Sequence, residues 1–302
     1  MTTTDDTSLP SAPTAAVRAT LAEFRVGSSD PTTRLGPSSF CRATLTPDGP
    51  GTVLIRWGPH GLDACAWGPG SGWLVQRVDA ITGAFDCPQP LPSLHPVVTA
   101  AEHRHPDVRF GASGTLYHEL LPIILAQRIT GGEATHQWHR LVRTFGTPAP
   151  GPLPGMLVPP SPQQLAGTPA WRLHPLGIEA KRANALRTVA RHADRLWEWA
   201  EQPAGTCARN LALLPGIGEW TVGCAVGLAL GCADSIAVGD FHLKNVVVHA
   251  LTGRPRGTDD EMVALLEPYR PQRRRVTRLL QLDGHSAPKF GPRRRILHIH
   301  RW

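Results

Sequence analysis

Two patterns of apolar and polar positions divide the chain. Between residues 38 and 85, short β-rich runs alternate with tight-turn signals. The runs are SFCRATLT, TVLIRWG, GLDACAWG and GWLVQRV, and Pro-Asp-Gly-Pro-Gly, Pro-His-Gly and Gly-Pro-Gly-Ser-Gly separate them. This arrangement predicts antiparallel strands joined by tight turns. From residue 115 the apolar positions recur every three or four residues, which is the helical period. Helices are expected over 116–130 and 133–145, with Pro122 kinking the first or marking its early turn. The loop GTPAPGPLPG follows. A helix over about 179–200 would bury Leu186, Val189, Ala193, Leu196 and Trp197 on one side. Further helices are expected over about 219–230 and 241–251. Another starts at a capping box formed by Thr258 and Glu261. The last lies in PQRRRVTRLLQL, with a strongly basic side. Residues 88–110, rich in Pro and His, hold one short helix and a connection.

The expected organisation is mainly α. Residues 1–15 are small and polar and read as disordered. Residues 16–87 form a β-rich N-terminal domain, 88–283 the helical part, and 284–302 a basic tail. A chain of 302 residues is long enough for two domains or one large one. Its formal charge of +7 favours a polyanionic partner without naming one. The start of the chain has neither the basic nor the apolar region of a signal peptide, and no run of about 18 apolar residues is present, so a cytoplasmic protein is expected. The six cysteines form no C-x-x-C pair and read as free thiols. His136 with His139, and His298 with His300, lack further ligands at a metal-binding spacing and read as surface residues.

The candidate chemistry lies in LPGIGEWTVG, residues 214 to 223. Pro-Gly-x-Gly before a helix makes a rigid turn whose later N–H groups face outward, a ready anion site. The same turn also serves as a plain helix-to-helix connection. Asp240 stands 20 residues after Trp220, just before the next helix. Aspartate is a favoured N-cap, which accounts for it structurally. A carboxylate at a helix start is also held rigidly where the dipole favours negative charge, as an enzyme that stabilises a developing cation requires.

The stretch LLPGIGEWTVGCAVGLALGCADSIAVGDFHLK resembles the helix-hairpin-helix signature of the DNA glycosylase superfamily. The tryptophan after the hairpin resembles the 3-methyladenine DNA glycosylase II branch. YHELLPIILAQRITGGEATHQWHRLVRTFG and HPVVTAAEHRHPDVRF resemble upstream segments of the same family. The similarity spans roughly residues 90 to 283 and is weaker over the N-terminal part, where that branch carries a small antiparallel sheet domain. The resemblance implies a catalytic role for Asp240 and a phosphate grip by the hairpin at Gly216 and Gly218, with Thr221 and Lys244 counted among the DNA contacts. Gln127 and Arg128 match the residues that fill the gap left by an extruded base, and Gln127 also counts with the base pocket. Trp220 and Phe241 match its aromatic walls. A structural Na+ or K+ is implied on the main-chain carbonyls of Ala212, Leu214 and Gly216. No cofactor is required, and no cysteine run for an iron–sulfur cluster is present. The implied partner is double-stranded DNA containing damaged bases, bound by a nucleoid-associated monomer with no membrane contact.

Three positions depart from that pattern. Arg128 stands where some members carry an apolar wedge. Cys224 occupies an expected aromatic pocket position, and LLQL lacks the tryptophan that closes one pocket wall. The resemblance implies a monofunctional glycosylase for damaged bases, alkylated purines first. A glycosylase for a deaminated or oxidised base, or a non-catalytic DNA-binding protein, are the alternatives. In the endonuclease III branch a lysine nucleophile occupies the position of Trp220, and an indole cannot replace it.

Overall fold

The computed structural model describes residues 14–288. The disorder expected for residues 1–15 falls almost wholly outside them, as do most of the basic tail and the pair His298 and His300. Helix α1 (Thr14–Ala22) precedes a four-stranded antiparallel sheet ordered β1 (Thr33–Leu35), β2 (Ser39–Thr46), β3 (Gly49–Gly58) and β4 (Gly61–Trp67). Thr46 pairs with Gly49 and Gly58 with Gly61, so Pro-Asp and Pro-His form two-residue hairpin loops, as the turn signals predict.

The run GWLVQRV is not a strand. It lies in α2 (Ser71–Gln76) and the start of α3 (Val78–Thr82). A short apolar run suits either structure until tertiary contacts choose. Here Leu74, Val78 and Ile81 share one helical stripe and fill the core against the sheet, with Val17, Leu21 and Phe24 beside them. Alternation along the strands sends Phe40, Val53, Ile55, Trp57, Ala64 and Ala66 to that face. Cys41, Ala43 and Leu54 face the other way, onto Met156 and Val158.

The helical part continues with α4 (Pro96–Arg104), α5 (Leu116–Leu125) and α6 (Gly131–Phe145), then the short hairpin β5 (Thr147–Pro148) and β6 (Leu157–Val158). Next come α7 (Pro162–Gly167), α8 (Ala170–Leu173), α9 (Ala180–Arg191), α10 (Ala193–Ala200), α11 (Ala204–Ala212) and α12 (Glu219–Ala229). Helices α13 (Leu243–Thr252), α14 (Asp259–Leu266) and α15 (Arg273–Leu282) close the described chain. One core surrounds α5 and reaches α6, α9, α11 and α12. A second joins α4, α13, α14 and α15.

The expected helix over 179–200 is interrupted at His192. Its ring Nδ1 meets the Thr188 carbonyl at 2.8 Å. That carbonyl would otherwise accept the His192 N–H, which turns to Val189 instead. The side chain has replaced the backbone donor and broken the ladder. The capping box is present: Thr258 accepts from the Glu261 N–H, and the Glu261 carboxylate accepts from the Thr258 N–H. The basic side of α15 turns inward onto acids. Arg273 pairs with Asp234, Arg274 and Arg278 with Glu23, and Arg275 with Asp86.

Helix α5 is buried on all sides, Pro122 alone being half-exposed. It carries two polar groups against the sheet. Glu119 Oε1 accepts from Arg42 Nη2 at 2.5 Å, and Arg42 Nη1 donates to the Phe24 carbonyl. His118 Nδ1 meets the Thr44 hydroxyl at 2.9 Å, and its ring lies near that of Trp138. Burial, with Arg42 nearby, holds the His118 imidazole well below its ordinary value of 6.5.

The unfolded chain gains a proton at His118 below about pH 6.5, and the folded chain does not. Stability therefore falls as pH drops through that value, by up to about 1.4 kcal/mol per unit from this residue. Urea unfolding of the wild type and of His118→Gln at pH 7.5 and 5.5 measures the effect. The wild type is expected to lose about 1 kcal/mol more than the variant over that interval.

Candidate active site

Helices α11 and α12 form a hairpin around residues 213–218. Leu214 and Ile217 are buried and anchor the turn, while Pro215, Gly216 and Gly218 face solvent. Gly216 has φ +88, and a Cβ there would stand 2.8 Å from Ala185 Cβ on α9. Conformation and close approach both demand glycine. Gly218 precedes α12 with open space around it, and no side chain caps that helix. The first N–H groups of α12 therefore face outward at the positive end of a helix dipole, the arrangement that binds phosphate oxygens.

The chain returns from α12 along the helix itself. A Cβ on residue 223 would lie 2.2 Å from the Ile236 carbonyl oxygen, so Gly223 permits the returning loop to lie flat. Ser235 Oγ donates to the Gly223 carbonyl at 2.9 Å and pins it there. This brings Asp240 back to Trp220, whose Nε1–H donates to Asp240 Oδ2 at 3.1 Å. Asp240 Oδ1 accepts from the backbone N–H groups of His242 and Leu243, each at 2.8 Å. Asp240 thus closes the turn that leads into α13, whose N-cap position is His242, and three N–H donors hold its carboxylate in one orientation. The preceding Gly239, at φ +89, donates its N–H to Asp259 Oδ1 at 2.8 Å.

Several predicted site residues meet here. Lys244, expected on DNA, donates to Asp259 Oδ2 at 2.7 Å in this structure. Burial works against the Asp259 carboxylate, but hydrogen bonds from Lys244 and Gly239 hold it below the usual aspartate value. Thr221, also expected on DNA, is buried, and its hydroxyl accepts from Gln127 Nε2 at 2.9 Å. The same Gln127 amide donates to the Gly216 carbonyl at 3.0 Å, so Gln127 ties the end of α5 to the hairpin. Phe241 is beside Asp240, exposed, and edge-on to His242. Arg128 is exposed in the turn between α5 and α6, and it is the one non-glycine residue at positive φ among the described residues, at 60°. A left-handed arginine costs roughly 1 kcal/mol of backbone strain, and such strain gathers at functional turns. His136 is exposed, as expected, whereas His139 is half-buried and its Nε2 meets the Val26 carbonyl. All six cysteines are free, and no cluster of metal-ligating side chains stands among the described residues.

Two positioning elements escape sequence reasoning. Asp259 reads as an ordinary first-turn acid in the capping box, and its hold on Gly239 becomes visible only in three dimensions. Helix α11 completes the hairpin, with Cys207 and Leu211 buried at i, i+4 spacing, a signal the sequence does carry.

No protein-family model matches the sequence, and no curated protein matches it. Solved structures do match. The chain is similar to a 3-methyladenine DNA-glycosylase from Archaeoglobus fulgidus at 14% identity, with a TM-score of 0.73 over 94% of this chain and 98% of that one. It is also similar to the 8-oxoguanine glycosylase/lyase of Clostridium acetobutylicum in its apo form, at 11% identity and a TM-score of 0.58, over 83% and 98% of the two chains. Sheet, helical cores and hairpin together give the chain the fold of the helix-hairpin-helix DNA glycosylases.

Proposed function

We propose that the chain is a monofunctional DNA glycosylase that extrudes a damaged base from double-stranded DNA and hydrolyses its N-glycosidic bond. The observation that carries this reading is the oriented Asp240 carboxylate, joined to Trp220 beside an uncapped hairpin. Hairpin N–H groups would hold a phosphate and set register without reading sequence. Extruding the nucleotide costs a few kcal/mol, and Arg128, exposed on its strained turn, is placed to fill the vacated stack. As the glycosidic bond lengthens, positive charge builds on the sugar, and Asp240 would stabilise it and orient the attacking water. The resemblance puts alkylated purines first among substrates, with Phe241 and Trp220 as walls. A monovalent cation at the hairpin belongs to the same reading. The Leu214 and Gly216 carbonyls already accept from Ile217 and Gln127, so a cation there would use their second lone pairs. No step of the chemistry needs it.

Asp240→Asn can keep the two backbone bonds from His242 and Leu243 on its one amide oxygen, but loses the acceptor for Trp220. It should bind duplex DNA within a few fold of wild type and lose most excision, since the lost charge acts near the transition state. Parallel loss of affinity and turnover would reduce Asp240 to a structural role.

A Cβ at residue 218 has open space around it and the position requires no left-handed backbone, so Gly218→Val is compatible with the turn. It should weaken binding to damaged and undamaged duplexes by the same factor, about tenfold, because the blocked contact is to phosphate. Fluorescence anisotropy with both duplexes measures this, and a loss confined to damaged DNA would contradict it.

Trp220 carries no amine, so no Schiff base forms with the sugar. Incubation with lesion DNA and borohydride should trap no covalent adduct, and the strand should break only after alkali. An adduct that disappears in Asp240→Asn would show that another amine attacks the sugar.

A further inference from the structure

The face of α12 that carries Trp220 continues through Cys224 to Gly227, at the i, i+4 and i+7 spacing that keeps residues together. Its two ends are chemically unlike. At the first, Trp220 holds Asp240. At the second, about 10 Å along the axis, the Gly227 carbonyl accepts from Arg274 Nη1 at 2.8 Å. A Cβ on residue 227 would lie 3.0 Å from Arg274 Nε, so glycine lets the guanidinium rest against the helix. Arg274 Nη2 meets Glu23 Oε2 at 2.9 Å, and Arg274 Cζ stands 4.0 Å from the centre of the Phe110 ring. Arg278 Nε reaches the second oxygen of Glu23 at 3.2 Å. One guanidinium is thereby fixed from three sides, by Gly227, Glu23 and Phe110.

Cys224 lies between these ends. Burial pushes its thiol up to about 12, the Asp240 charge pushes it the same way, and Arg274 pulls it back. Cys224 nevertheless keeps accessible surface, as do Trp220 and Arg274. Cys224 is thus set deep on this face and still open to solvent, between Asp240 at one end and Arg274 at the other.

We propose that this partly open face of α12 receives the extruded base and that Arg274 is the specificity-determining residue, donating to an exocyclic oxygen of a neutral purine. The inference rests on the glycosylase reading and names its substrate class: deaminated or oxidised purines. A guanidinium can only donate hydrogen bonds, so it selects a carbonyl over an amino group. Two guanidiniums share the single carboxylate of Glu23, which leaves one positive charge in excess at this end. At this end that charge repels a base that is itself a cation, while the Asp240 carboxylate stands at the opposite end. The thiol of Cys224 offers none of the π-face that would attract such a base.

The test is single-turnover excision from duplexes that differ in one base. Hypoxanthine and 8-oxoguanine are neutral and carry exocyclic oxygen, ethenoadenine is neutral without it, and 7-methylguanine is cationic. At least one of the first two should leave about tenfold faster than both others, as expected of a site built around a hydrogen bond. Arg274→Gln should narrow that preference about tenfold or more. Arg274→Lys keeps a charge beside Glu23 but loses the planar fork. It should lose the preference over ethenoadenine and still reject 7-methylguanine, which keeps the test decisive should the glutamine variant not fold. Fastest release of 7-methylguanine or ethenoadenine by the wild type, or equal loss on all duplexes in both variants, would overturn the inference and leave the glycosylase reading standing. Release of no base from any duplex would overturn both.

Discussion

Helix α5, enclosed on every side, is the constraint on which the rest of the structure depends. Its apolar residues supply the centre of the larger core, while Glu119 and His118 face polar partners on the sheet. Ser113 and Gly114, just before it, donate to the carbonyls of Leu228 and Ala229 at the end of α12. Gln127, just after it, holds the start of α12 through Gly216 and Thr221. Helix α12 is therefore fixed at both ends to the one element that cannot move without opening the core. The buried pair of Arg42 and Glu119 adds orientation more than net stability, since desolvation offsets most of the attraction. Removing one partner alone would strand a buried charge at a cost of about 3–5 kcal/mol.

The arginines of α15 show how a basic run can serve the fold. Asp86 accepts from Arg275 with both oxygens, and Val108 accepts a further bond from it. Glu23, just beyond α1, holds Arg274 and Arg278 across most of the chain. The four arginines of α15 pair with Glu23, Asp86 and Asp234, so they add little to the formal +7, which is carried by other residues of the chain. Under the proposed function, attraction of DNA would fall to the hairpin amides and to exposed cations such as Arg128.

At Asp240, turn closure and candidate chemistry are one arrangement. The two N–H groups at the start of α13 orient one oxygen, and the indole of Trp220 orients the other. Asp259 holds the amide just before it, and Lys244 is absorbed in keeping Asp259 in place. The aspartate is positioned from both sides of its own peptide, which suits a group that must meet charge at one point in space.

Local physics made part of this molecule readable in one dimension. The two-residue turns, the strands Ser39–Thr46 and Gly61–Trp67, the Thr258 capping box and the Pro-Gly-x-Gly hairpin each follow from residue types a few positions apart. Asp240 stood out in the sequence only through the resemblance of its segment to a family signature, and its contact with Trp220 appears in the structure alone. GWLVQRV was ambiguous because a short apolar run satisfies strand and helix equally until its partners are known. The break at His192 depended on which carbonyl an imidazole would reach. The fates of Lys244, Thr221 and Gln127, and the inward turn of the α15 arginines, depended on partners from 15 to 251 positions away. Sequence determined most of the elements with clear local signals and where chemistry could lie. Tertiary structure alone decided which charges meet, because ion pairing and burial depend on distances that only the packed chain defines.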